Sequence, residues 1–587
     1  MNKHPNYLLN QINGPKDVKQ FTISQLKQIA EEIRTLIVER TAAIGGHTAP
    51  NLGITEVAVA FHYVFNSPTD KIIWDVSHQS YAHKCLTGRV KGFIDPDHYA
   101  DVGGFTDPNE SEHDFFAVGH TSTSVSLAVG MAQARDLQKQ SGNIVAVLGD
   151  GSASGGLAFE GLNNAGRMRS NLIVIFNDNQ MSIDENQGGL YQGLKELRET
   201  NGQSANNIFK FMGFDYRYVA DGNDLDSLIN VFNEIKDIDH PIVIHINTLK
   251  GKGYKFAEQN KFKFHWSSPF DIETGQSINN NFSDDTYDQA VIDVLSEEIE
   301  NDQPIMAINA AIPGTFGLKK LENKYPHNYL DVGIAEQHSL TMATGMAKNG
   351  AKPVVFHNST FLQRAYDQLS HDIALNDLPV VILIKNGTIS QSSWTHQGDF
   401  DIPYITSLPN IEYLAPTNEE ELQNMLRWAL RQNNHPIAIR EPMHNVEHGK
   451  SQSEFNDINY RIEKSGEKVA ILALGDFYQL GEQLVQEINN VLHFNPTLIN
   501  PISASNLDEN ALDSLLLNHQ LIITLEDGSL SGGFGEKIDR YFSDKDVKVL
   551  NYGAKKEFNN NIPVSDLYRK YHLTPKQIVD DIKKQNI

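Results

Sequence analysis

Asp150 and the run Asn177-Asp178-Asn179 are the residues whose types and spacing point first to chemistry. Asp150 lies between two glycines, in Gly149-Asp150-Gly151, and small residues continue through Gly156. Glycines let a backbone approach anionic oxygens closely, and a helix N-terminus favours negative charge. A carboxylate at Asp150 and an amide oxygen at Asn179 are hard ligands suited to Mg²⁺. The chemistry implied is a diphosphate held through a divalent metal. The glycine spacing is not that of a dinucleotide fingerprint, and no Gly-Lys-Ser/Thr follows to make a P-loop. Gly-Asp-Gly alone would pass for a strand turn with a solvated aspartate. The second polar cluster, following a second apolar strand, argues against that.

Two strand ends must position these groups. Ile144–Leu148 is an apolar run long enough for a buried strand, Leu157–Ala165 reads as a helix and Leu172–Phe176 as a second strand. This is a βαβ unit of a parallel sheet, and both polar clusters fall at carboxyl ends of strands, where open α/β sheets bind ligands. Upstream, Ser24–Thr41 has helical spacing, Gly45–Gly53 interrupts it, and Ile54–Val64 is helical again. Lys71–Val76 reads as a strand ending at Ser77-His78-Gln79, and Val118–Ser124 as a polar turn before the helix Val125–Ala134. His47, His78 and His120 thus each stand beside a Gly or Ser where an element ends. Lys250 and Lys252, after the strand Ile242–Asn247, read as solvated charges.

Residues 271–285 are polar and read as a linker. A second α/β pattern follows, in which Glu336 begins a helix running to about Lys348 and a further helix covers about Phe361–Ala374. His444–Lys468 reads as a second linker. The last stretch alternates strand and helix and carries no metal-like cluster; Glu526, Gly528, Gly532 and Gly533 read as a tight strand-end turn. The expected fold class is α/β, with three consecutive domains of mainly parallel sheet over residues 1–275, 286–445 and 466–587. The length of 587 residues accommodates them.

The formal net charge of −25 argues against a nucleic-acid binder and against docking on an anionic membrane. The one cysteine, Cys85, allows no internal disulfide and fits a reducing compartment. The first residues have no apolar core of signal-peptide length, and runs such as Leu378–Ile384 are too short to span a bilayer. A cytoplasmic enzyme is expected.

The stretch Ile144–Ile183 resembles the thiamine diphosphate motif of the transketolase superfamily. The resemblance implies that Asp150, Asn179 and the carbonyl of Met181 bind the metal, with Gly151 and Ser152 in the cofactor-binding loop. It implies that His47, His78 and Gly119-His120-Thr121 line the diphosphate and the reactive carbon, that Tyr254 contacts the cofactor, and that His265 is a further active-site histidine. Glu336 stands in DVGIAEQH, where such enzymes place the carboxyl group that hydrogen-bonds the aminopyrimidine and so promotes deprotonation of the thiazolium carbon. A lone glutamate there would be a helix-start residue stabilised by the macrodipole.

Longer strings, among them HYVFNSPTDKIIWDVSHQSYAHKCLTGR, GLAFEGLNNAG, YLDVGIAEQHS and STFLQRAYDQLSHDIAL, make nearly the whole chain similar to the 1-deoxy-D-xylulose-5-phosphate synthase family. That family joins pyruvate to glyceraldehyde 3-phosphate with release of carbon dioxide. By this resemblance the cofactors are thiamine diphosphate and Mg²⁺, bound between the first two domains of a homodimer. Phe361 stacks on the aminopyrimidine, Arg364 and His396 line the substrate space, and Glu336, His47, His265, Arg364 and His396 form the catalytic set.

The chain also departs from the family. The loop between Ile183 and Phe214 is short. Asn386 and Met443 replace two arginines that hold the acceptor's phosphate, Asn358 replaces a tyrosine, and an acidic residue before Thr395-His396-Gln397-Gly398 is absent. Glyceraldehyde 3-phosphate or a divergent aldehyde remains open as acceptor. The rival readings are a transketolase moving a ketol group, a dehydrogenase component needing a lipoyl partner, and a non-catalytic scaffold of the same fold.

Overall fold

The computed structural model describes residues 4–183, 186–278, 285–449 and 455–585. The chain divides into two compact units, residues 1–282 with 333–335, and residues 283–332 with 336–587.

The first unit is built on a five-stranded sheet of β1 (Lys71–Trp74), β2 (Ile144–Gly149), β3 (Leu172–Asp178), β4 (Asp215–Val219) and β5 (Pro241–Asn247), in the order β1-β2-β3-β5-β4. All pairs are parallel. The expected βαβ unit is present, with its helix at Gly156–Ala165. β3 is buried along its whole length, which is why it reads as an unbroken apolar run rather than an alternating one. Register pairs Gly149 with Asn177, so the two polar clusters emerge side by side.

The interruption expected over Gly45–Gly53 is shorter in the structure. The helix Ile23–Ile44 ends at Gly45, and the next helix already begins at Ala49 and runs to Val64. Pro50 lies in its first turn, where a missing N–H costs nothing.

The second unit holds two sheets. One is wholly parallel, in the order β10-β11-β9-β8-β6-β7, from β6 (Ile305–Asn309), β7 (Tyr329–Asp331), β8 (Lys352–Asn358), β9 (Val381–Lys385), β10 (Glu412–Leu414) and β11 (Ile437–Arg440). The other comprises β12 (Arg461–Lys464), β13 (Lys468–Ala473), β14 (Thr497–Asn500), β15 (His519–Ser529) and β16 (Lys548–Ala554), in the order β12-β14-β13-β15-β16. The three sheets make three α/β domains. β12 corrects the expectation of a linker over residues 444–468: it pairs antiparallel with β14 at the sheet edge, and its charged sequence suits a half-solvated edge strand. Glu526 lies inside β15 and is fully buried, accepting the backbone N–H groups of Phe534 and Gly535 at the start of the helix Phe534–Phe542. It serves as a helix cap rather than a turn residue.

Cys85 is buried, and burial pushes its thiol up to about 12. Among the described residues no helix is long and apolar enough to cross a membrane.

Candidate active site

Asp150 follows β2 and is buried, with Oδ1 accepting the Gly151 N–H at 3.0 Å and Oδ2 accepting from Asn186 Nδ2 at 2.8 Å. Burial, and then the nearby Asp178 carboxylate, push the Asp150 carboxyl up to about 7. A carboxylate destabilised in this way is stabilised by a divalent cation. A second observation agrees: among the described residues, Asn186 Oδ1 is buried beside Asp150 with no hydrogen-bond partner. The donor set is oxygen only, as a hard cation requires. Asn179 lies one residue beyond β3, and its Oδ1 accepts the Met181 N–H at 3.2 Å. The Asp178 carboxylate is engaged by His245 and Arg198. Against the effect of burial, His245 and Arg198 hold it below the usual carboxylate value.

The small residues of this loop allow close packing. A Cβ at Gly151 would lie 2.5 Å from that of Ser182, and one at Gly155 would lie 2.1 Å from Ser122 Oγ. Ser122 Oγ donates to the carbonyl of Ser152 at 2.8 Å, joining the Gly119-His120-Thr121 turn to the Asp150 loop. That turn is organised by Asp75, fully buried just past β1, which accepts the N–H groups of Ser122 and Ser124 at 2.8 and 2.9 Å. Val76 and Ser77 follow with φ of 57° and 65°, an uncommon left-handed conformation for a β-branched residue, immediately before His78.

His47, His78 and His265 come together. Ring centroids are 5.1 Å apart for His47–His78, 5.8 Å for His47–His265 and 5.1 Å for His78–His265. Asn51 ties two of them: its Nδ2 donates to the carbonyls of both His47 and His78 at 2.7 Å. Sequence reasoning missed Asp75 and Asn51; both stand within a few residues of the histidines it selected. It also misread Lys250. Instead of facing solvent, Lys250 is buried, donates to the carbonyl of Ser182, and lies 3.1 Å from His265 Nδ1. Lys252 pairs with Glu56. The Tyr254 hydroxyl donates to the Ile272 carbonyl, and its ring packs among Phe256, Phe264 and Phe270.

In the second unit, Glu336 opens the helix Glu336–Lys348 as expected and is buried, with Oε2 3.3 Å from Arg364 Nη1. Phe361 meets the edge of His396 at 5.7 Å between centroids. Burial pushes the His396 imidazole down to about 4, so it is neutral near pH 7. The helix expected around Phe361–Ala374 is broken: an α-turn at Ser359–Leu362 passes through a 3₁₀ turn into a π-helical segment, Gln368–Ala374.

Asn386, past the end of β9, has φ 59°, a conformation asparagine tolerates. Its side chain donates to Asn358 Oδ1 at 2.7 Å, and its N–H faces Met443 Sδ at 3.3 Å. Three cations near Asn386 or Met443 in sequence, Lys385, Arg440 and His444, are engaged. Lys385 pairs with Asp288 and, at 3.2 Å, with Glu441. Burial lowers the Lys385 pKa, but Glu441 and Asp288 outweigh it and hold the ammonium above its ordinary value. Arg440 is buried with both arms on Asp401, at 2.7 and 3.2 Å, and on the Asp527 carbonyl. His444 Nδ1 lies 3.2 Å from Asp476, a hydrogen bond that raises the imidazole to about 9. With Asp527 these make a His/Asp/Asp cluster, where no metal-like cluster was expected in the last domain; its histidine comes from before that domain. Met443 N–H, Thr388 and the Ile389 N–H already serve the two aspartates.

Parallel sheets with an oxygen-donor loop at one set of strand ends and a buried helix-start glutamate define a transketolase-like enzyme. Residues 285–448 match the family model of the transketolase pyrimidine-binding domain, and 459–578 that of the transketolase C-terminal domain. Residues 9–207 and 200–248 match the model of 1-deoxy-D-xylulose-5-phosphate synthase. The chain is 40% identical over 629 residues to the 1-deoxy-D-xylulose-5-phosphate synthase of Alkaliphilus oremlandii, covering 98% of this chain and 99% of that one. It is 38% identical over 611 residues to the Clostridium acetobutylicum protein of that name, covering 96% and 97%. The chain belongs to the 1-deoxy-D-xylulose-5-phosphate synthase family.

Proposed function

We propose that this chain is a thiamine diphosphate- and Mg²⁺-dependent carboligase that decarboxylates pyruvate and joins the two-carbon unit to an aldehyde lacking a phosphate dianion. When bound, the cofactor supplies an electron sink for the carbon from which carbon dioxide leaves. Asp150, Asn179 and the Met181 carbonyl would hold the metal. Glu336 holds or moves a proton at its carboxyl group, with Arg364 fixing that group's position. His47, His78 and His265 supply imidazole nitrogens to the ligand, and neutral His396 beside Phe361 adds another. The reading takes the enzyme as a cytoplasmic homodimer.

The acceptor class rests on one observation: Lys385, Arg440 and His444 are each neutralised by carboxylates of their own unit. A phosphate dianion in a partly dry site needs fixed positive charge. Each missing charge-assisted contact costs roughly 1.5–3 kcal/mol, so two lower phosphate recognition by about two orders of magnitude or more.

The test supplies pyruvate with glyceraldehyde 3-phosphate, glyceraldehyde and a panel of neutral aldehydes, following carbon dioxide and ketose. The expected result is carbon dioxide release with a kcat/KM for the best neutral aldehyde above that for glyceraldehyde 3-phosphate. A strong preference for the phosphorylated acceptor that disappears in Lys385→Ala would overturn the acceptor assignment. Ketose formation without carbon dioxide would favour a transketolase instead.

A further inference from the structure

Lys250 reaches one ring nitrogen of His265 from a buried position. Lys250 Nζ lies 3.1 Å from His265 Nδ1 and also donates to the Ser182 carbonyl. Its side chain is only 2% exposed. Burying an ammonium is costly unless it is paired and hydrogen-bonded, so a lysine held here is built into the site. It is delivered by a constrained turn after β5. Gly251, next in the chain, has φ 88°, its N–H donates to the Ala49 carbonyl at 3.0 Å, and a Cβ on it would lie 2.6 Å from the Ala257 backbone.

An ammonium has three donors and no acceptor, so a ring nitrogen facing it can only accept. Burial, then Lys250, His78 and His47, lower the His265 imidazole and outweigh a hydrogen bond at the Ser182 backbone that raises it, so the ring stays well below its usual range and is neutral. A neutral imidazole that accepts at Nδ1 carries its hydrogen on Nε2.

We propose that Lys250 is a positioning residue that locks His265 in the Nε2–H tautomer, presenting a hydrogen-bond donor to the ligand space His265 shares with His47 and His78. The catalytic consequence rests on the function proposed above; the tautomer does not.

The test is nitrogen NMR of the full-length chain labelled with ¹⁵N-histidine, without cofactor and with thiamine diphosphate and Mg²⁺, the His265 signals being assigned by their loss in His265→Gln. Wild type is expected to show a protonated Nε2 and an unprotonated Nδ1. Lys250→Met is expected to populate the other tautomer and to lower kcat by roughly 10²-fold, the lower end of what a correctly held proton donor contributes, with little change in the KM for pyruvate. Lys250→Arg, which keeps a donor, is expected to restore the wild-type tautomer. A wild-type His265 protonated at Nδ1, donating to the Ser182 carbonyl, would overturn the proposal. So would a tautomer indifferent to Lys250→Met. If that variant does not fold, the wild-type spectrum still decides. The expected tautomer in a chain with no carboligase activity would count against the function and leave the tautomer assignment standing.

Discussion

In Glu336→Ala, thiamine diphosphate is expected to bind with nearly unchanged affinity while hydrogen–deuterium exchange at its thiazolium carbon slows by roughly 10²–10⁴-fold. The metal and diphosphate contacts attributed to the Asp150 loop are untouched by this substitution. What is lost is a buried carboxyl group whose position is set by Arg364 Nη1 at 3.3 Å and by the first turn of its helix. A glutamate serving only the helix dipole contributes about 0.3–1 kcal/mol of stability and nothing to carbon acidity. Quenched-flow exchange on the bound cofactor separates the two roles. Equal rates in wild type and variant would leave Glu336 a helix-start residue.

Asp150→Ala is expected to abolish measurable thiamine diphosphate binding by calorimetry in the presence of Mg²⁺, with the fold intact by circular dichroism. Asp150 supplies the only charged oxygen among the three proposed metal ligands, so its removal takes away the strongest contact to the cation. Folding should tolerate the change, because burial and the Asp178 carboxylate already penalise the anion at this position. Asp150→Asn keeps an oxygen and the volume, and is expected to fall between the two. Unchanged cofactor affinity in both variants would refute the metal assignment.

Much of this was legible in the chain because it is encoded locally. The βαβ unit announces itself through two apolar runs of strand length, and the polar clusters stand directly at their ends. Glu336 was readable as a helix start from its own neighbours. The losses come from long-range partners. A lysine has no intrinsic reason to be inside, and Lys250 is buried where a turn brings it to the Ser182 carbonyl and His265. Asp75 looks like any acid after a strand until Ser122 and Ser124, far along the chain, present their amides to it. Pro50 lies in a stretch that reads as an interruption although it sits in a helix's first turn. The strand Arg461–Lys464 has too little apolar content to stand out, since it is an edge paired with a partner 30 and more residues away. The pairing of Lys385, Arg440 and His444 with acids depends on loops meeting in space, so the chemical character of that region is set by tertiary contacts and not by local sequence.

The Asp75 arrangement bears on the tempo of the enzyme. Two amides held by one buried carboxylate, beside two left-handed residues, fix the turn carrying His120 and the approach to His78 when the chain folds. Ordering a flexible residue costs about 1–2 kcal/mol of backbone entropy, and a turn already fixed does not charge that to each capture event. The loop therefore does not have to search for its shape between one catalytic cycle and the next. This corner of the protein meets each ligand as a stationary wall.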